Sequence, residues 1–282
     1  MNPKQWTPEQ LAAAYKNACM AELQALKPGN VHVFADGHGM TIYDFIKSAD
    51  VSASSIAQAD LTVGQRIFYA VEATQQAVGM NTNLGLVLLC APLIQAALHR
   101  NQAQNFQQSL SNTLSQLTID DAIQAGQAIV LANPAGLGSA NENDVNQTST
   151  VTLLEMMRSA QSRDHIAWQY ANDFSDVLGF GLIRYTEAMA KWQNQAWATT
   201  ALYLGFMANQ LDSHIMRKYG KTLASAVMIE AKEIEACYWA TDNPKLVQQK
   251  LLDWDASLKI RKINPGTSAD MTVACLLAAY LQ

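Results

Sequence analysis

Apolar residues recur every three to four positions along nearly the whole chain, the spacing that gives an α-helix one buried face. The first such run places apolar side chains at Leu11, Tyr15, Cys19, Leu23 and Leu26. Alternating patterns typical of strands are nearly absent, and the one short run at residues 31–34 has no evident pairing partner. The sequence therefore predicts an all-α protein, a single compact domain of about ten to twelve helices.

Capping and stop signals set the predicted helix boundaries. Thr7 with Gln10 and Thr41 with Asp44 have the spacing of capping boxes, so helices are expected to begin there and to end near the Pro28-Gly29 turn and residue 56. Further helices are predicted over residues 63–78, 86–99, 119–132, 150–161, 165–175, 177–192, 195–218, 221–240, 245–258 and 268–281. Residues 133–147, rich in Gly, Asn and Ser, are either a linker or a loop over a site, and we predict a flexible surface loop.

Composition excludes several classes of protein. With 282 residues, 49% of them hydrophobic, the chain can bury a large core. A net charge of -5 predicts no general attraction to nucleic acid, so an anionic ligand needs a local site. The four cysteines are far apart and form no CxxC pair, which argues against a zinc or redox motif. No apolar run reaches the roughly 20 residues of a membrane span, and the N-terminus lacks a signal-peptide core, so we expect a cytoplasmic protein.

Two interruptions of the helical pattern occur in the first third of the chain. Residues 27–30 form a Lys-Pro-Gly-Asn turn. Glu22 lies one helical turn before it, on an apolar stripe, so its carboxylate is either paired in a cleft or extended to water. Residues 79–85 place three amide or hydroxyl side chains between glycines, just before a helix. The free N–H groups at such a helix start suit a phosphate, although an ordinary capped turn gives the same pattern.

The other two interruptions lie near the C-terminus. Residues 264–270 contain a second Pro-Gly turn, and the spacing of Thr267 and Asp270 predicts another capping box. Within the predicted helix 195–218, Asn209, Asp212 and Ser213 are three or four residues apart and are expected to share one face. Carboxylates together with cations and helix starts are what a site for Mg²⁺ and a polyphosphate requires.

These interruptions, in this order, resemble the triphosphoribosyl-dephospho-coenzyme A synthase family. The matching stretches are Lys27-Pro28-Gly29-Asn30-Val31, Gly37-His38-Gly39-Met40 with Asp44-Phe45 and Ser48, Asn81-Thr82 with Gly85, the segment around Asp212, and Asn264-Pro265-Gly266 with Ser268-Ala269-Asp270. The similarity runs from about residue 22 to the C-terminus and is slight between about 100 and 195. It implies an all-helical enzyme that transfers the triphosphoribosyl group of ATP to the ribose 2′-hydroxyl of dephospho-coenzyme A and releases adenine.

The resemblance also implies roles for individual residues. The catalytic candidates are Asp44, Asp212 and His38. The candidates for substrate and phosphate binding are Lys27, Asn30, Ser48, Asn81, Thr82, Asn83, Gly85, Ser213, His214, Arg217, Gly266, Thr267 and Ser268. Glu22, Asp212 and Asp270 are the candidates for binding Mg²⁺, the expected cofactor. The expected partner is ATP or another phosphorylated small molecule, and the apolar helices make a homodimer plausible.

Several positions depart from the family pattern. Where the family usually has His-Lys in the second turn, this chain has Asn83 and Leu84, and where it usually has Asp before the methionine, this chain has Gly39. His214 stands where the family usually has Asn. Leucine cannot donate a hydrogen bond to phosphate, and glycine cannot accept a proton. Two alternatives therefore stay open: a relative that makes another cofactor, such as a pterin- or furan-type one-carbon carrier, and a non-catalytic nucleotide-binding subunit.

Overall fold

The computed structural model describes residues 6–101, 103–134 and 148–282. Within these residues, fourteen α-helices follow one another: α1 (Pro8–Gln24), α2 (Ile42–Ile56), α3 (Val63–Val78), α4 (Leu84–Leu98), α5 (Phe106–Ser115), α6 (Ile119–Ala132), α7 (Leu153–Ala160), α8 (His165–Ala171), α9 (Leu182–Trp192), α10 (Gln195–Asn209), α11 (Ser213–Tyr219), α12 (Lys221–Trp239), α13 (Gln248–Ile260) and α14 (Gly266–Leu281). A π-helical segment, Asp176–Gly181, precedes α9, and a 3₁₀ turn, Pro244–Val247, precedes α13. The all-α prediction is confirmed, with slightly more helices than expected.

Side-chain caps fix many of the helix starts. Thr7 and Gln10 form the predicted capping box at α1, and Thr41 donates its N–H and its hydroxyl to the Asp44 carboxylate at α2, over 2.7 and 2.9 Å. The predicted box between Thr267 and Asp270 is wrong, because α14 begins after Pro265 without a side-chain cap. Both side chains instead contact other segments of the chain and help to shape the site described below.

The helix pattern differs from the prediction in two places. Helix α5 was not expected, because its apolar residues stand in a run of Gln, Ser and Asn. The predicted helix 195–218 is two helices, since Asp212 accepts hydrogen bonds from the N–H groups of His214 and Ile215 and so starts α11. A side chain that caps a new helix start competes with continuation of the preceding helix. Asn209, Asp212 and Ser213 therefore do not share one helix face.

Helix α14 joins two hydrophobic cores. The larger core is built from α1–α8, the π-helical segment and most of α14, and the smaller is built mainly from α9–α13. Ala269, in the first turn of α14, packs in the smaller core, whereas Met271, Val273 and the residues that follow pack in the larger one. Both α4 and α14 are apolar on nearly every side, as expected for helices enclosed by others. The N-terminus of α14 thus lies where the two cores meet.

Regular β-structure is absent from the described residues, where only isolated antiparallel bridges pair His32 with Ala35 and Gly37 with Met40. None of the described helices is long and apolar enough to cross a membrane. The predicted flexible loop at 133–147 falls largely on residues 135–147, which lie outside the described part of the chain.

Candidate functional site

A large cavity opens at the junction of the two cores, beside the first turn of α14. Its volume of about 650 Å³ lies within the range of small-molecule sites. Polar residues from the 27–30 turn, the start of α4, α11 and the start of α14 line one side. The other side is an apolar wall that includes Leu88, Ile129, Met156, Met157, Ile166 and Val273.

The two Pro-Gly turns pack against each other at this cavity. The Asn30 amide donates to Asn264 Oδ1 over 2.8 Å, and the Gly29 N–H donates to Asp255 Oδ1 over 2.8 Å. Gly29 has φ +85°, and a Cβ there would lie 2.8 Å from Pro265 Cδ. A left-handed conformation and this close approach both require glycine. The turn that follows α1 and the turn that precedes α14 therefore pack together as one unit.

Glu22 and Lys27 form a buried ion pair beside the 27–30 turn. The Lys27 ammonium donates to the Glu22 carboxylate and to Asn30 Oδ1, 3.1 Å away. Removal from water is the largest influence on both groups, and it raises the pKa of Glu22 and lowers that of Lys27. Glu22 lines the cavity, but Lys27 is fully buried and is not part of the lining. The direct phosphate contact predicted for Lys27 does not fit this arrangement.

Asp270 occupies the N-terminus of α4. Its carboxylate faces the Leu86 N–H, and a Cβ on Gly85 would overlap it, with Cγ only 2.6 Å away. Burial raises the pKa of Asp270 well above its usual range, and the negative charges of Asp212, Glu22 and then Asp164 raise it further. The helix start that the sequence suggested for a phosphate thus already receives a carboxylate from the protein.

The polar residues before α4 are largely satisfied by the protein. Asn81 caps α4 through its side-chain oxygen, and the Thr82 hydroxyl bonds to that of Ser48. The Asn83 amide donates to Thr74 Oγ1 over 2.8 Å, which holds α4 against α3. Asn81, Thr82 and Asn83 line the cavity, whereas Ser48 lies behind Thr82 and outside the lining.

Asp212 connects α11 to α14 from behind the cavity. Its Oδ1 accepts the two N–H groups that start α11, and its Oδ2 accepts the N–H and hydroxyl of Ser268 over 2.8 and 2.9 Å. The neighbouring Ser213 hydroxyl accepts the His165 N–H over 2.7 Å. Thr267 Oγ1 accepts the His214 N–H over 3.1 Å, so a second bond joins α11 to α14. Asp212, Ser213 and Ser268 hold the walls together without lining the cavity.

Two histidines line the cavity. His38 Nε2 lies 2.8 Å from the Gly29 carbonyl oxygen, and the ring is held by a left-handed backbone with φ 58°. Burial lowers the pKa of His38 and of His214 below the ordinary histidine value. A Cβ on Gly266 would lie 3.0 Å from His214 Nδ1, so the small residue after Pro265 gives this ring its place.

Positively charged side chains line one part of the cavity. They come from α11 and from Arg163, the residue before the N-cap of α8. Arg217 Nη1 donates to Asp164 Oδ2 over 2.9 Å, while Asp164 Oδ1 caps α8. Arg163 and Lys218 also line the cavity, and both are exposed. Arg163 and Asp164 were not predicted as site residues, because the sequence around them shows only a helix cap. Lys218 was not predicted as a site residue either, and it lies in the last turn of α11, where a cation also complements the helix C-terminus.

The structure brings most of the predicted site residues together and leaves some apart. The predicted residues that line the cavity are Glu22, Asn30, His38, Asn81, Thr82, Asn83, Gly85, His214, Arg217, Gly266, Thr267 and Asp270. Lys27, Asp44, Ser48, Asp212, Ser213 and Ser268 are outside its lining. Of the three predicted metal ligands, Glu22 and Asp270 face the cavity and Asp212 does not. No three His, Cys, Asp or Glu side chains among the described residues are grouped to hold a metal by themselves.

Comparison with known proteins points to one family. The model of the ATP:dephospho-CoA triphosphoribosyl transferase family matches residues 8–282. A solved structure from Archaeoglobus fulgidus, assigned provisionally as a triphosphoribosyl-dephospho-coA synthase, is similar with a TM-score of 0.63 and 19% identity, over 83% of this chain and 96% of that one. At this identity the structural likeness supports the fold alone. No curated protein sequence gives a match.

Proposed function

The chain belongs to the ATP:dephospho-CoA triphosphoribosyl transferase family, and on that premise we propose that the cavity binds MgATP and dephospho-coenzyme A. In the proposed reaction the 2′-hydroxyl oxygen of dephospho-coenzyme A forms a bond to C1′ of the ATP ribose. The bond between C1′ and adenine N9 breaks, and adenine leaves with the proton. The proposal rests on one observation: both Pro-Gly turns, the start of α4 and several cationic side chains lie around a single cavity.

His38 is the proposed general base for the attacking hydroxyl. If Nε2–H donates to the Gly29 carbonyl oxygen, Nδ1 keeps its lone pair free to accept a proton. The lowered pKa of His38 keeps the ring neutral near pH 7, as a base must be before it acts. Asp44, the other candidate base, is used by the Thr41 cap and lies outside the lining.

Glu22 and Asp270 are the proposed protein ligands of Mg²⁺. Magnesium that accompanies a nucleotide takes one or two carboxylates together with phosphate oxygens and water, so a complete protein cage is not required. Besides burial and Asp212, the negative charge of Glu22 raises the pKa of Asp270, and a divalent cation bound to Glu22 and Asp270 would stabilise both charges. Bound Mg²⁺ would neutralise charge on the triphosphate and orient it towards the acceptor.

A second candidate function is transfer to another phosphorylated cofactor precursor. Leu84 lines the cavity where the resemblance leads us to expect a lysine, and Asn83 is committed to Thr74. Both changes alter the wall that would contact a substrate. They favour an altered acceptor more than a loss of catalysis, since His38, Asp270 and the cations still line the cavity.

The test is adenine release by the purified protein with ATP, Mg²⁺ and dephospho-coenzyme A, followed by chromatography and mass measurement of the product. We expect release that depends on dephospho-coenzyme A and that falls at least about tenfold in Asp270→Asn. Asp253→Asn removes the same charge from an exposed position and serves as the matched control. Tight MgATP binding without release would favour the second candidate, and no nucleotide binding at all would refute both.

A further inference from the structure

The two polar margins of the cavity differ in charge. At the start of α4, the Asp270 side chain faces the Leu86 N–H, and the side chain of Leu84 offers no donor. A phosphate placed there without a bridging cation would meet the Asp270 side chain. The margin formed by Arg163, Arg217 and Lys218, here called the basic rim, presents cations instead.

Arg217 in the basic rim has an unused donor. Its Nη1 holds Asp164, but its Nε–H is buried and has no hydrogen-bond partner among the described residues. Buried donors without an acceptor are rare in folded proteins, and the Arg217 side chain that carries this one also lines the cavity. A guanidinium fork matches the oxygens of a phosphate group particularly well.

Arg163 and Lys218 add charges that the protein does not neutralise. Neither forms an ion pair in the part of the chain that the structure describes, and both side chains are exposed at the cavity. Lys218 also influences His38 and His214 electrostatically, so its ammonium acts on the same interior. With a net charge of -5 on the whole chain, these cations form a local attraction for a ligand with several negative charges.

We propose that the basic rim makes the direct protein contacts to a polyphosphate chain and that the N–H groups at the N-terminus of α4 do not. The Arg217 guanidinium contacts it beside the bond to Asp164, and Arg163 and Lys218 flank it as charges. The chain is either the triphosphate of the nucleotide donor or the pyrophosphate of the acceptor. Assignment to one of these substrates rests on the proposed function, whereas binding of the polyphosphate itself does not.

The test uses Arg163→Gln, Lys218→Gln and the double variant, because both residues are exposed and their replacement leaves the core intact. Arg158→Gln and Lys221→Gln make the same charge changes at exposed positions outside the cavity lining and are the controls. Calorimetry at low salt with inorganic tripolyphosphate measures the affinity directly. Each rim variant is expected to weaken binding about five- to tenfold, and the double variant more, because charge-assisted contacts are lost. The controls are expected to stay within about twofold, since exposed charges that do not line the cavity are screened by solvent and salt.

Separate titrations identify the substrate. Weaker binding of ATP, with adenosine unaffected, assigns the rim to the donor triphosphate, and weaker binding of dephospho-coenzyme A assigns it to the acceptor. The proposal is overturned if the wild type does not bind tripolyphosphate, if the rim variants bind it normally, or if the controls weaken it equally. Loss of tripolyphosphate binding in the rim variants would support the basic rim as the polyphosphate site even if the wild type released no adenine. Adenine release with unchanged binding in those variants would refute the rim alone.

Discussion

Replacement of Asp212 by asparagine separates a positioning role from a metal-binding role. The Asp212 carboxylate joins α11 to α14 through four accepted hydrogen bonds. Asparagine can still cap α11 with its oxygen, because Asn and Asp are comparable N-caps. Its NH₂ group, however, would face the Ser268 N–H, and two donors cannot bond to each other. Asp212→Asn therefore breaks the connection to α14 while it preserves the start of α11.

The expected cost follows from these contacts. The Ser268 hydroxyl can rotate to accept from the new NH₂ group, but the buried Ser268 N–H loses its acceptor. An unsatisfied buried donor costs about 1–3 kcal/mol, which corresponds to a fall in Tm of about 2–5 °C in a protein of this size. Asp212→Ala also removes the cap of α11 and should cost about 1 kcal/mol more.

Urea denaturation of the wild type and both Asp212 variants measures these costs, with exposed Asp253→Asn as the control for removal of a charge. Calorimetry of ATP binding with and without Mg²⁺ provides the second measurement. We expect stability to fall in the order wild type, Asn, Ala, with the dependence of ATP binding on Mg²⁺ retained in Asp212→Asn. A variant as stable as the wild type, in which Mg²⁺ no longer affects ATP binding, would show that Asp212 binds the metal and would refute the positioning role.

Three further predictions concern the cavity itself. Gly85→Ala would place a Cβ 2.6 Å from Asp270 Cγ and 2.9 Å from Ile166 Cδ1, so it should cost about 1–3 kcal/mol in urea denaturation and reduce adenine release. Gly179→Ala, whose Cβ meets nothing within 4 Å, should do neither. Because the pKa of Asp270 is raised in the folded state, the folded protein binds this proton more tightly than the unfolded chain, and stability is lost as the pH rises from about 4 towards the folded pKa. Without Mg²⁺, Asp270→Asn should therefore be more stable than the wild type at pH 8, and this gain in stability should shrink towards pH 4. An equal gain at pH 8 and at pH 4 would contradict the raised pKa as its cause. His38→Asn tolerates the left-handed backbone and should lower kcat about 100-fold or more. In the wild type the rate should fall as the pH drops through a pKa below that of an ordinary histidine, and persistence of that fall in His38→Asn would assign the base to another residue.

The sequence predicted the helices because their signals are local. A capping box such as Thr7 with Gln10 needs only four residues, and an apolar stripe needs only one helix. Where a local signal competed with another, the prediction was wrong: Asp212 looked like a position within a long helix, but its carboxylate starts a new one. The same limit applies to Thr267 and Asp270, whose spacing suits a cap although both side chains bond to distant segments.

The roles of the charged residues were decided only by the tertiary structure. The interruptions of the helical pattern and the family resemblance identified Glu22, Asp270 and Arg217 as candidate site residues, because a charged side chain beside an apolar stripe must be paired or solvated. Which of them face the cavity depends on contacts between residues far apart in sequence, such as Asp270 with Gly85 and Arg217 with Asp164. Burial and neighbouring charge set the pKa of each carboxylate, and both exist only after the chain packs. The sequence alone thus determined the helical class and the family, and packing decided which polar residues line the cavity and which ones hold it together.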